Sequence, residues 1–204
     1  MVSWFRGRRT PQQEREDQYE ALGKFLEKKA ERVHWKMESI WPKLAADAKL
    51  TNEEQWQLIA EISAYQLAAV GHAAFRFGGQ EARREILTRV RPDLIQRVLD
   101  AHKITAEGRE QASGFMNEAL AEAASHYDQF SNPIRGRLLN FEPEPELFQV
   151  FKTRVLTLAR QDTEADQSVE DFLKIMTQEA TGSLTDHKKG QETVQQIAFS
   201  IAGI

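Results

Sequence analysis

The chain has 204 residues and no cysteine, which excludes disulfide frameworks, thiol catalysis and cysteine-ligated metal centres. Its 27 basic and 31 acidic residues give a net charge of −4, so the whole chain lacks the positive charge of a general nucleic-acid binder. With 41% hydrophobic and 28% charged residues, the composition is that of one folded globular domain. The sequence contains neither an uninterrupted apolar run long enough for a membrane span nor a secretory signal, and we expect a cytoplasmic protein.

Residues 1–10 are predicted to form a flexible tail that combines aromatic and basic side chains. These side chains are Trp4, Phe5, Arg6, Arg8 and Arg9. Aromatic rings next to cations are typical of peripheral membrane contacts, and a protein groove or a nucleic acid can accept the same residues. The alternative is a tail whose arginines only keep the chain soluble.

A long first helix is predicted to begin at Pro11, with Thr10 as its cap. Pro42 removes a backbone donor, so we expect the helix to kink or end near Trp41. Apolar residues recur at steps of three and four, which makes one continuous stripe: Leu22, Phe25, Leu26, Ala30, Val33, Met37, Ile40, Trp41 and Leu44. This stripe can pack in the chain's own bundle or in a dimer, and the sequence favours the first.

Residues 51–77 are predicted to form the helix around which the rest of the chain packs. Thr51 and Glu54 make a capping box at its start, and Gly78-Gly79 marks its end. The helix is apolar over most of its circumference, which is typical of a central helix. One polar stripe interrupts the apolar surface, and it comprises Glu54, Gln57, Glu61, Tyr65, His72 and Arg76.

Three residues of that stripe, Glu61, Tyr65 and His72, are candidate ligand-binding residues. If another helix covers them, they form a buried polar network with His72 as a ligand, base or pH-sensitive group. If no helix covers them, they face water, and the amphipathic pattern favours this exposed arrangement. His72 and His102 are also the histidines available as axial haem ligands in a helical pocket.

The segment from 81 to 103 is helical and rich in arginine, and Pro92 is expected to divide it into two helices. The arginines that could meet phosphate are Arg83, Arg84, Arg89, Arg91 and Arg97. Interleaved acidic residues stand at spacings that allow helical ion pairs, and they are Glu81, Glu85, Asp93 and Asp100. A solvent-facing surface of ion pairs is therefore favoured over nucleic-acid binding through residues 83–97.

A third long helix is predicted from a cap at Thr105 to about Tyr127. Glu118, Glu122 and His126 are spaced by four residues and project from one face of this helix, as metal ligands in a helical bundle do. Di-iron carboxylate sites use a spacing of three in Glu-x-x-His, and the sequence has no second such motif. A surface ion pair between Glu122 and His126 is the favoured interpretation.

Alternating glutamate and proline at 142–146 separate the predicted main bundle, 11–141, from the C-terminal helices, 142–204. Those helices are expected at 147–160, after a cap at Ser168, and from about 185 or 189 to 201, packed on the same bundle. No segment has the alternation of a strand. The sequence therefore predicts an all-α, irregular bundle of about seven helices around residues 51–77.

The sequence has no phosphate-binding loop, dinucleotide fingerprint, nucleophile elbow or zinc-protease motif. We therefore expect a non-enzymatic interaction, adaptor or regulatory protein with no cofactor. Its partner would be a protein or a second copy of the chain, with the basic-aromatic tail as a tether to a partner or an anionic membrane. The alternative is a bundle that binds a small molecule, haem or metal as carrier, sensor or oxidoreductase. A nucleic-acid binder using residues 83–97 ranks third.

Overall fold

The computed structural model describes residues 10–45, 49–102, 106–128, 145–160, 167–181 and 188–203. Within these ranges the chain forms six α-helices and no strand: α1 (Pro11–Leu44), α2 (Asn52–Ala101), α3 (Ala106–Asp128), α4 (Pro145–Leu158), α5 (Gln167–Ala180) and α6 (Lys188–Ala202). The predicted all-α multi-helix fold is confirmed, and the number of helices is close to the expected seven. The basic-aromatic tail, the cap at Thr105 and the segment from 129 to 144 lie outside the described residues.

The first two helices begin with the caps that the sequence predicts. Thr10 accepts a hydrogen bond from the backbone N–H of Gln13 at 3.2 Å, and Pro11 follows as the first helical residue. Thr51 accepts from the N–H of Glu54 at 3.2 Å, while the Glu54 carboxylate accepts from the N–H of Thr51 at 2.8 Å. Each cap satisfies backbone donors that have no partner within the helix, and so it fixes where the helix starts.

The central helix of the bundle is α2, which packs against each of the other five described helices. Leu58, Ile62 and Ala74 are fully buried in its first half, as the continuous apolar surface predicts. By length and composition this helix could also cross a membrane, but 78% of its most apolar window is buried inside the bundle. The burial identifies α2 as a core helix of the bundle.

The long helix α2 has one break, at the glycine pair that the sequence singles out. Gly79 has φ 72° and ψ −164°, a conformation that glycine adopts without steric cost and that interrupts the helix. The second predicted break, at Pro92, is wrong, because the helix continues through this residue to Ala101. A proline inside a helix costs about 3 kcal/mol, whereas burying each large aliphatic side chain contributes about 2 kcal/mol. The buried side chains around Pro92 are Ile86, Val90, Leu94, Ile95, Val98 and Leu99.

Two other predicted helix ends are displaced in the structure. The first helix runs through Pro42 to Leu44, because Trp41 and Leu44 are both 1% exposed and their packing holds the last turn. The helix α5 begins at Gln167, one residue before the predicted cap at Ser168, which is within the one or two residues by which assigned helix ends vary. At the end of α1, tertiary packing decides where the helix ends more strongly than the proline does.

The C-terminal helices α5 and α6 both pack on α1 and α2. Gln66, fully buried on α2, joins three of these helices, because its Nε2 donates to the carbonyl oxygens of Leu26 at 3.0 Å and Ala180 at 2.8 Å. The Ala180 carbonyl belongs to the last turn of α5, where backbone acceptors have no partner inside the helix. One amide from the central helix therefore closes the end of α5 and holds it against α1.

The expectation that the polar stripe of α2 faces water is wrong for two of its residues. Glu61 is 2% exposed and Tyr65 is fully buried. The Tyr65 ring contacts Tyr127 of α3 and Phe151 of α4, with ring centroids 6.1 and 5.3 Å apart. The helical pattern of α2 alone does not reveal this cover, because α3 and α4 supply both the aromatic rings and the charge that Glu61 needs.

Candidate functional sites

A group of four polar residues joins α2, α3 and α4 around the buried Glu61 and Tyr127, and we call it the Glu61 cluster: Glu61, Glu122, Tyr127 and Arg154. Arg154 donates from Nε to Glu61 Oε1 at 2.6 Å and from Nη2 to Glu122 Oε1 at 2.9 Å. The Tyr127 hydroxyl donates to Glu61 Oε2 at 3.4 Å. Both carboxylate oxygens of Glu61 are engaged, so this group connects three helices and does not present a free base.

Burial and charge act in opposite directions on the ionisation of this cluster. Burial raises the pKa of Glu61, although Arg154 acts to lower it. Burial and the nearby Glu61 raise the pKa of Tyr127 well above its usual value, so the phenol keeps its proton and remains a donor. Burial disfavours the charge on Arg154, but Glu61 outweighs this effect and raises the pKa of the guanidinium. The arginine is therefore the permanent charge on which the ionised state of Glu61 depends.

A cavity of about 260 Å³ adjoins the Glu61 cluster and brings together residues from two separately predicted sites. Glu61, Glu118, Glu122 and Arg154 all line it. His126 lies near enough for its charge to act on the pKa of Glu61. Among the described residues, no group of three or more histidine, aspartate or glutamate side chains is arranged to hold a metal ion. His72 stands three helical turns from Glu61, roughly 16 Å along α2, and is not part of this site.

Arg154 is the residue of this cluster that the sequence analysis missed. It lies on α4, among the buried side chains Phe151 and Val155, and its own side chain is 23% exposed. A signal was available, because a glutamate on the helix predicted to be central requires a positive partner if another helix covers it. Which cation meets Glu61 depends on how α4 packs, and the sequence pattern does not contain that information.

A second site, the histidine cleft, lies between α1 and the end of α2. Its volume is about 440 Å³, and its lining residues are Lys28, Glu31, Arg32, His34, Trp35, Ala101 and His102. Trp35 is 69% exposed, and with Ile175 it is one of two large apolar side chains exposed among the described residues. Trp35 stands off the apolar stripe of α1, which is the sequence signal that could have identified it.

Two histidine rings meet in this cleft. The rings of His34 and His102 have centroids 5.8 Å apart, and Trp56 contacts the His102 ring at 5.2 Å. His102 places Nδ1 2.9 Å from the backbone oxygen of Val98. His34 is 9% exposed, and its Nε2 has no hydrogen-bond partner in the described part of the chain. Burial and the neighbouring His102 lower the pKa of His34 to about 4, so this imidazole is neutral at pH 7.

The arginine-rich half of α2 carries ion pairs with its own helix and with α1. Arg97 donates to Asp93 at 2.7 Å, which confirms an ion pair at the predicted helical spacing. Arg89 pairs with Glu16, and the Arg15 guanidinium lies 3.7 Å from Glu85. The acidic partner from α1 was not foreseen, because it depends on how α1 and α2 pack. The pairs of Arg89 with Glu16 and of Arg97 with Asp93 neutralise part of the positive charge that nucleic-acid binding through residues 83–97 would use.

A scan of protein families finds no match for this chain, and no curated protein or solved structure matches it significantly. The two sites are therefore the basis on which a function can be inferred. In the Glu61 cluster, Glu61 and Tyr127 are buried and Glu61 is paired with both Tyr127 and Arg154, whereas the histidine cleft presents an exposed tryptophan. Of the two, the histidine cleft presents a large exposed apolar side chain, which favours binding to another protein.

Proposed function

We propose that this is a non-enzymatic, partner-binding helical protein whose histidine cleft docks a segment of another protein. The proposal rests on the exposure of Trp35, whose side chain lines the cleft and is 69% exposed. Tryptophan is enriched among the few interface residues that supply most of the binding energy, because its large ring is buried at little entropic cost. An exposed tryptophan beside a concave surface is therefore a suitable anchor for a partner.

The charges around the cleft favour a particular chemistry in the partner. Lys28 and Arg32 line it with positive charge and Glu31 with negative charge, and Arg32 is already paired with Glu179 of α5 at 3.2 Å. Trp35 and Ala101 add apolar surface. The volume of about 440 Å³ suits one or two side chains of a partner. The expected partner segment presents an apolar side chain for Trp35 next to an acidic residue for Lys28.

Replacing Trp35 with alanine is expected to weaken partner binding at least tenfold, since truncation of a central aromatic anchor costs about 2 kcal/mol or more. The partner is first captured from lysate of the cells of origin and purified, and its affinity for each variant is then measured. Ile175→Ala is the matched control, because Ile175 is 54% exposed and lies on α5, away from the cleft. The control variant should bind the partner as the unaltered protein does.

Equal affinity of the partner for the Trp35→Ala variant and the unaltered protein would contradict docking at the cleft. A loss of affinity in Ile175→Ala alone would move the interface to α5. The Trp35 side chain is mostly exposed, so its removal is not expected to unfold the chain, and helical circular dichroism checks this point directly.

The proposal extends to the basic-aromatic tail as a membrane tether. A chain of residues 10–204 should bind vesicles of anionic phospholipid at least tenfold more weakly than the full chain, since each arginine near such a surface contributes about 1 kcal/mol. Co-sedimentation with anionic vesicles measures the difference, and vesicles of neutral lipid are the control. Equal binding of the two chains to anionic vesicles would remove the tether from the account.

A further inference from the structure

We infer that His34 and His102 form a two-histidine site for a divalent transition-metal ion of the class that prefers imidazole ligands, such as Zn²⁺. The two residues come from different elements, His34 from α1 and His102 from the end of α2. Their rings meet inside the cleft with centroids 5.8 Å apart. The inference does not depend on the docking of a protein partner, although both use the same cleft.

The separation of the rings is compatible with one shared ion. A histidine nitrogen binds zinc at about 2.0–2.1 Å, which places the ion roughly 3.2 Å from the ring centroid. Two such rings on one ion therefore have centroids at most about 6.4 Å apart. The observed 5.8 Å lies within this limit, so the two rings are close enough to share one ion.

His102 is held in the arrangement that metal-binding histidines use. Its Nδ1 lies 2.9 Å from the carbonyl oxygen of Val98, which only accepts hydrogen bonds, so we assign the proton to Nδ1. This leaves the lone pair of Nε2 for a ligand. A backbone carbonyl that binds the second ring nitrogen in this way fixes the orientation of the imidazole and strengthens its basicity toward a metal.

His34 supplies the independent indication of a ligand. It is 9% exposed, and its Nε2 is covered without a hydrogen-bond partner among the residues that the structure describes. Buried polar nitrogens are almost always satisfied by protein, water or an ion, so this nitrogen calls for a partner. A metal ion shared with His102 would provide one.

The two imidazole ligands limit which metal ions the site can bind. Imidazole nitrogens suit Zn²⁺, Ni²⁺ and Cu²⁺, whereas Mg²⁺ and Ca²⁺ take oxygen ligands. Within the described ranges no third histidine, aspartate or glutamate completes a cluster, so water would have to fill the remaining positions of a bound ion. Such a site is expected to bind Zn²⁺ more weakly than a closed structural site with four protein ligands.

The test is a titration of the chelator-treated full chain with Zn²⁺, measured by isothermal titration calorimetry. We expect one Zn²⁺ per chain, with the affinity reduced at least tenfold by His34→Ala and by His102→Ala. Mg²⁺ should not bind at this site. His126→Ala is the matched control, because His126 lies on α3 beside the other predicted metal ligands, Glu118 and Glu122. This variant should bind as the unaltered chain does.

Three results would overturn the inference: no binding at millimolar Zn²⁺, unchanged binding in both cleft variants, or loss of binding in His126→Ala alone. His34 is buried, so its alanine variant can lose stability for structural reasons. His102 is exposed, and His102→Gln therefore tests the site without a change in the core. Imidazole proton shifts in NMR spectra give a second readout, since Zn²⁺ should move the signals of His34 and His102 and leave that of His126 unchanged.

Discussion

Replacing Arg154 with methionine is expected to lower the free energy of unfolding by about 3 kcal/mol. Glu61 is 2% exposed and receives a 2.6 Å hydrogen bond from the Arg154 guanidinium. Methionine preserves much of the apolar stem but removes the charge, so Glu61 is left as an uncompensated buried carboxylate. Urea unfolding followed by circular dichroism measures the change.

Arg160→Met is the matched control for this substitution. Arg160 also pairs with a glutamate of α2, at 3.2 Å from Glu54, but its side chain is 83% exposed. Exposed ion pairs contribute about 0–1 kcal/mol, so this variant should be almost as stable as the unaltered protein. Adding Glu61→Gln to the Arg154→Met variant should recover part of the lost stability, because the unpaired charge is then gone.

The effect of Arg154→Met should also depend on pH. Burial raises the pKa of Glu61 above the value of about 4.3 for a glutamate in an unfolded chain. Between the pKa of Glu61 in the unfolded chain and its raised pKa in the folded chain, the folded state binds more protons than the unfolded state. The free energy of unfolding therefore falls as the pH rises through this window. Loss of Arg154 raises the pKa of Glu61 further and extends the window upward. The difference in the free energy of unfolding between the Arg154→Met variant and the unaltered protein should be smallest near pH 4 and largest at neutral pH.

Equal destabilisation by Arg154→Met and Arg160→Met would contradict this account of the Glu61 cluster. The account would also be wrong if the stability difference for Arg154→Met were the same at pH 4 and pH 7. A constant difference would mean that the arginine acts through packing of its stem and not through its charge.

Replacing Gly78 with alanine is expected to destabilise the fold by about 2 kcal/mol. A Cβ at this position would lie 2.7 Å from the backbone oxygen of Ala198 on α6 and 2.6 Å from the Cβ of Ala82. Backbone cannot swing aside as a flexible side chain can, so α6 would have to move away from α2. Thermal and urea unfolding of the variant measure the cost.

Gly114→Ala is the control for helix propensity. Gly114 lies on α3, is exposed, and a Cβ there meets nothing within 4 Å. Alanine should stabilise the helix at this position by up to about 1 kcal/mol. If Gly78→Ala were as stable as Gly114→Ala, the close approach of α6 to Gly78 would be refuted.

Local signals in the sequence were sufficient for much of the fold. The capping residues Thr10 and Thr51 and the break at Gly79 depend on neighbours within one or two turns, and the structure has all three. The predicted break at Pro92 failed because burial of aliphatic side chains on both sides outweighs the local cost of the proline. Such burial depends on partners far away in the chain.

The sites were harder to predict for the same reason. Glu61 and Tyr65 stood out as polar residues on an apolar helix, but their burial follows from cover by α3 and α4. The pairing of Glu61 with Arg154 joins residues 93 positions apart. The meeting of His34 with His102 likewise depends on how α1 packs beside the end of α2. Helical periodicity identifies the face of a residue and does not identify the residue opposite.

Native mass spectrometry of the untagged protein, purified gently from its own cells, tests the docking function most directly. The account predicts that the unaltered chain carries a second polypeptide in fixed stoichiometry, and that the Trp35→Ala variant from the same cells is recovered without it. A bare chain in both samples would contradict the account. So would an unaltered chain that carries haem or an organic ligand in place of a polypeptide, or a complex that survives the loss of Trp35.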